Sequence, residues 1–137
     1  MSFAISAALQ AAVYQHLQAD TGVNALVGTA IFDALPTGDV PQTYVSLGPE
    51  DVQDRSDTTG YGASHRFTIS VVTEAAGFGA AKTLAAAISD ALEDVDLTLS
   101  RGRLIGMWFE RASARRTGKA GRIRRIDLRF RARVEDS

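Results

Sequence analysis

Ten consecutive residues near the end of the chain, 125–134, alternate without a break between charged and apolar side chains. Arg125, Asp127, Arg129, Arg131 and Arg133 take one parity, and Ile126, Leu128, Phe130, Ala132 and Val134 take the other. A period of two is the signature of a strand, because successive side chains leave a strand on opposite sides. Wound as a helix, the same residues would scatter both sets around every side and leave no apolar stripe. The segment therefore belongs in a sheet with one dry face and one basic face. What covers the dry face must come from elsewhere in the chain.

Two segments qualify. Over residues 3–19, Ile5, Leu9, Val13 and Leu17 recur every four positions with Ala8 and Ala12 beside them, which predicts an amphipathic helix ended by Thr21-Gly22. After Gly77 and Gly79 a second helix presents Ala81, Leu84, Ala85, Ile88 and Leu92. A short helix over 24–27, closed by Gly28, comes after the first. Strands are predicted over 31–35, 43–47, 65–73, 104–112 and 123–134, with a hairpin turn at 117–121 between the last two. In the third strand Phe67, Ile69 and Val71 share one face. The fourth holds Met107, Trp108 and Phe109, and its aromatic residues are expected on the apolar side.

The order α, β, β, β, α, β, β implies an α+β fold. It predicts a largely antiparallel sheet of about five strands, with two main helices packed on one face. At 137 residues a single domain over 1–137 is expected, and such a chain buries roughly 68% of its unfolded surface without needing staples. Segment 48–62 carries Glu50, Asp51, Asp54 and Asp57 with turn-forming residues and few apolar ones. It reads as a mobile acidic loop.

Charge is segregated along the chain. The first 100 residues hold three cations against twelve acids, net −9, and the last 37 hold twelve cations against four acids, net +8. Such polarity favours head-to-tail self-association or contact with a polyanion.

Catalytic signals are sparse. There is no Cys, which excludes disulfides, thiolate nucleophiles and zinc–thiolate sites. The two histidines are His16, a surface or boundary residue on the first helix, and His65, which opens a strand. Ser64 and His65 are neighbours on a strand, point to opposite faces, and cannot pair as nucleophile and base. Segment 77–83 joins a strand to a helix but has Ala76 and Ala81 where a P-loop needs glycine. Asp51, Asp54 and Asp57 recur every third position, whereas a calcium loop of the EF-hand type needs every second. No cofactor or metal is expected. The start of the chain lacks a basic stretch before an apolar run, and no run of about 18 apolar residues occurs, so neither a signal peptide nor a membrane span is expected.

Several stretches in sequence resemble one family. They are Ala7-Ala8-Leu9-Gln10-Ala11-Ala12-Val13-Tyr14, Ala25-Leu26-Val27-Gly28, Ile31-Phe32-Asp33 with Pro36 behind, and Tyr44-Val45-Ser46-Leu47-Gly48. His65-Arg66-Phe67-Thr68-Ile69, Gly102-Arg103-Leu104 and the ending 128–135 continue the match. Together they resemble the tail terminator, or tail completion, proteins of long-tailed phages, in their gene-transfer-agent branch. The resemblance implies a structural protein with no catalytic residues, folded as an α/β sandwich with a mixed or antiparallel sheet and flanking helices. It implies a hexameric ring at the head-proximal end of the tail tube, stopping tube growth and meeting the head's connector or stopper protein. DNA would pass through the lumen of a particle assembled in the bacterial cytoplasm.

The residues add candidate contacts. Arg125, Arg129, Arg131 and Arg133 on the basic strand, and Asp51, Asp54 and Asp57 in the acidic segment, are expected to meet neighbouring subunits or rings. The alternative is a nucleic-acid-binding module that sets the same arginines on phosphates.

Overall fold

The computed structural model describes residues 2–56 and 61–136. After a 3-10 turn, helix α1 spans Ser6–Ala19, α2 Thr21–Val27 and α3 Gly79–Leu92. Five strands make one sheet: β1 Ile31–Phe32, β2 Thr43–Asp54, β3 Tyr61–Thr73, β4 Arg103–Thr117 and β5 Ile123–Asp136. Their spatial order is β1-β2-β3-β5-β4, with β1 parallel to β2 and every other pair antiparallel. The sheet is therefore mixed and the fold is α+β.

The expected faces meet. Leu9, Val13 and Leu17 of α1 and Ala81, Leu84, Ile88 and Leu92 of α3 are buried against Ile69, Val71, Ile126, Leu128, Phe130, Ala132 and Val134 of the sheet. Each fully buried Leu, Ile or Phe adds about 1.5–3 kcal/mol relative to exposure, so this layer supplies most of the driving force. Phe130 sits at its centre, stacked on Phe67 at 5.8 Å and meeting Phe109 edge-on at 5.8 Å. His16 joins the two long helices through its Nε2, 2.8 Å from the Ala91 carbonyl.

Three local expectations change. Thr21-Gly22 does not simply end the first helix. Asp20 breaks it in an extended conformation, and its side chain accepts from the Val23 amide at 3.0 Å, so a new helix starts at once. β1 is shorter than 31–35, and β4 is longer than 104–112.

The largest change concerns 48–62. Most of it is strand. β2 continues to Asp54 across a register shift between Leu47 and Glu50, and β3 already begins at Tyr61. Gly48, at φ +103°, takes the conformation that the irregularity requires. Glu50 then turns inward. One carboxylate oxygen lies 3.2 Å from Nδ1 of the fully buried His65, and Ser6 Oγ donates to the other. Burial pushes the Glu50 carboxyl up, but the hydrogen bonds from His65 and Ser6 outweigh it and hold it below its ordinary value. A carboxylate with two internal donors is not free to stay in a solvated loop. Asp57 lies outside the described residues.

Candidate functional site, a guanidinium array on the open sheet face

The helices occupy one face of the sheet, so the outward residues of β3, β5 and β4 form the other. Register sets like charges directly opposite one another. Arg131 faces Arg66, Arg129 faces Arg111, and Arg125 faces Arg115. Facing like charges destabilise a sheet unless an acid or a partner offsets them.

Two acids hold the array together from within. Glu110 lies 3.1 Å from Arg66 Nε, 3.6 Å from Arg129 Nε and 3.7 Å from Arg131 Nε. Asp127 accepts from Arg115 at 2.7 Å, from Arg125 at 3.0 Å and from Ser70 Oγ at 2.6 Å. Burial alone would raise the Asp127 carboxyl; the donors Ser70 and Arg115 and the charge of Arg125 more than offset it and hold it below its ordinary value. Arg133 donates to the Arg55 carbonyl at 2.9 Å. Arg111 forms no ion pair among the described residues. It joins Arg115, Arg125 and Arg129 around an open cleft of about 340 Å³ whose carboxylate is Asp127. Such a cleft suits an anionic group, either a carboxylate or a phosphate.

The sequence located β5's part of this face and missed β4's. The register of β4 shifts between Leu104 and Gly106 and again between Phe109 and Arg111. Each shift inserts one residue and reverses the parity of every later position in the strand. The second sends Arg111 and Arg115 outward beside β5's arginines. The expectation that every aromatic residue lies on the apolar side fails because Trp108 and Phe109 are adjacent on one strand and must face opposite ways; the first shift decides which of them turns outward. Trp108 faces outward, opposite Arg131, whose guanidinium carbon lies 4.6 Å from the indole centroid.

The four predicted arginines thus share one face. The acids divide. Asp51 is exposed on that face, in register with Arg66. Asp54 pairs with Ala63 on the opposite parity and accepts from Ser56 Oγ at 2.6 Å. Among the described residues, no three acidic or histidine side chains converge on a point that could hold a metal ion.

A solved chain with the same fold superimposes with a TM-score of 0.93 at 65% identity, covering 98% of this chain and 99% of the other. It belongs to a structure described as "Virion of native gene transfer agent (GTA) particle". Fold, charged face and likeness define the class as a structural protein of phage-like particles. Residues 11–135 match the family described as tail completion protein gp17, and the chain belongs to that family. Among proteins with curated descriptions, none matches it. The resemblance read from the sequence is therefore correct as to family and particle type.

Proposed function

We propose that this protein is the tail terminator of a gene-transfer-agent-like particle. Six copies close into a ring on the head-proximal end of the tail tube. The ring stops tube polymerisation and offers its far side to the head's connector or stopper protein, and DNA crosses its lumen. The observation that carries this reading is the near-complete match, in length and fold, to a chain of an assembled virion. In it, the arginine face with Arg125, Arg129, Arg131 and Arg133, and the acidic strand end with Asp51 and Asp54, are contact surfaces toward neighbouring subunits or rings. Electron microscopy of particles from a strain lacking the gene tests it. Overlong or ragged tails beside unattached filled heads are expected, and normal head–tail joints would refute it.

One observation favours a second reading, nucleic-acid binding. Trp108 and the arginine-lined cleft combine an aromatic surface with an anion site on one face. Binding through phosphates would weaken steeply with salt. A gel shift in which affinity stays weak and non-specific at low salt excludes that reading.

A further inference from the structure

The helix layer stops short of β4. Between α3 and β4 runs a groove of about 280 Å³, floored by Ile126 and Leu128 and walled by Ala85, Ala86, Phe109 and Ala114. Its apolar wall residues on β4 are exposed, Phe109 to 42%. At the opposite edge of the sheet, residues 33–42 between β1 and β2 are exposed throughout. Among the described residues, no backbone hydrogen bond ties 33–41 to the rest of the chain. This arm nevertheless carries Leu35, 50% exposed, and Val40, 42% exposed, flanked by Asp33 and Asp39. One edge of the sheet thus bears an apolar projection without a socket, and the other a socket without an occupant.

We propose that arm 33–42 of one copy seats in the α3–β4 groove of the next. The inference rests on the ring reading and names the contact that builds it.

Charge agrees. Lys82 stands on the groove wall, and register sets Arg116 and Arg124 on the same face at its end, whereas the arm brings Asp33 and Asp39. Level agrees too. Phe32, at one root of the arm, pairs with Ser46, then Ser70, Asp127 and Ser113 across the sheet. Thr43, at the other root, lines up through Thr73 and Arg124 with Arg116. The two rungs bracket Ala114, so arm and groove lie at one height along the strands. Side also agrees: Asp33 accepts a hydrogen bond from Gln10 of α1, which holds the arm's start on the helix side, where the groove opens. A heterologous contact with no axial step closes into a ring where its rotation permits, whereas one with a step spirals.

The absence of cysteine makes the test clean. Particles are produced with Leu35→Cys/Ala114→Cys, and separately with Leu35→Cys/Thr68→Cys, then oxidised and run under non-reducing conditions. Thr68 faces the arginine side, opposite Arg129, and lines none of the groove. A disulfide-linked ladder from the first pair, at least tenfold stronger than from the second, is expected. Equal ladders, or no ladder from the first pair, overturn the inference. If the first pair is not incorporated, Val40→Cys/Ala86→Cys takes its place under the same criterion. Wild-type particles fixed with glutaraldehyde separate the two levels of failure. Cross-linked oligomers without the disulfide ladder sink this contact alone, and a monomer after fixation sinks the ring reading itself.

Discussion

Arg131 stacks on Trp108 because Gly106 leaves the room. A Cβ built at Gly106 would lie 2.5 Å from the Cη2 and Cζ2 atoms of the indole, so the ring lies flat over the glycine and under the guanidinium. The contact joins β4 to β5 on the arginine face and fixes the one tryptophan of the chain.

Gly106→Ala should therefore push the indole off its seat without unfolding the protein. An exposed cation–π contact contributes about 0.5–1 kcal/mol, and the loss should be of that size. Since Trp108 is the sole tryptophan, emission reports on it directly. A red shift toward the fully solvated value is expected in Gly106→Ala and in Arg131→Ala. Unchanged emission in both would mean that the stack does not hold the ring.

Gly102 makes a harsher demand. It has φ +76°, and a Cβ there would lie 2.7 Å from the Glu135 carbonyl oxygen and 2.6 Å from Ile5 Cδ1. The strained backbone conformation alone costs about 1–3 kcal/mol for a residue with a side chain. Gly77 has the same φ with nothing within 4 Å of its Cβ position, and so isolates that strain. Gly102→Ala should lower the urea midpoint more than Gly77→Ala does. Equal shifts would show that Ile5 and the β5 end yield freely.

Legibility tracked the regularity of each element. β5 keeps strict alternation over 125–134, and both of its faces were readable there from parity alone. The long helices repeat their apolar residues every turn, and they too were readable. β4 was not, because two inserted residues put 106–109 out of phase with both ends of the strand, and neither Ile105 nor Glu110 is marked by the sequence as extra. Segment 48–54 misled for a different reason. Its acids read as solvated, yet Glu50 is satisfied by His65 and Ser6, which lie far away in sequence. The array's existence was visible in Arg129 and Arg131; the fact that Arg111 and Arg115 join it required the register.

Asp127 should make the protein acid-sensitive. Its carboxyl is held below the ordinary value of about 3.9. A depressed carboxylate contributes stability that is fully present above the unfolded value and is lost as pH falls through the folded one. Wild type should thus lose stability progressively below about pH 4 through this group. Asp127→Asn should be less stable at pH 7 and should show a shallower decline in acid. Urea midpoints from pH 7 to pH 3 measure both. Parallel curves for the two proteins would remove Asp127 from the acid response.

Arg129 and Arg131 carry the assembly prediction. Both face outward, both lie near Glu110 at distances beyond a tight ion pair, and both oppose other arginines in register. Exposed pairs of this kind contribute about 0–1 kcal/mol, so the pair is dispensable for folding but sets the sign of the surface. Arg129→Glu/Arg131→Glu should fold and yet be absent from purified particles. The two new carboxylates would also repel Glu110, and that internal effect needs its own control. Adding Glu110→Arg restores opposite charges within the face while keeping Glu at the two positions. If the triple variant reaches the urea midpoint of Arg131→Ala but stays out of particles, the outward charge is what the neighbour reads. If the folded double variant enters particles at the wild-type level, the arginine face is not a contact surface.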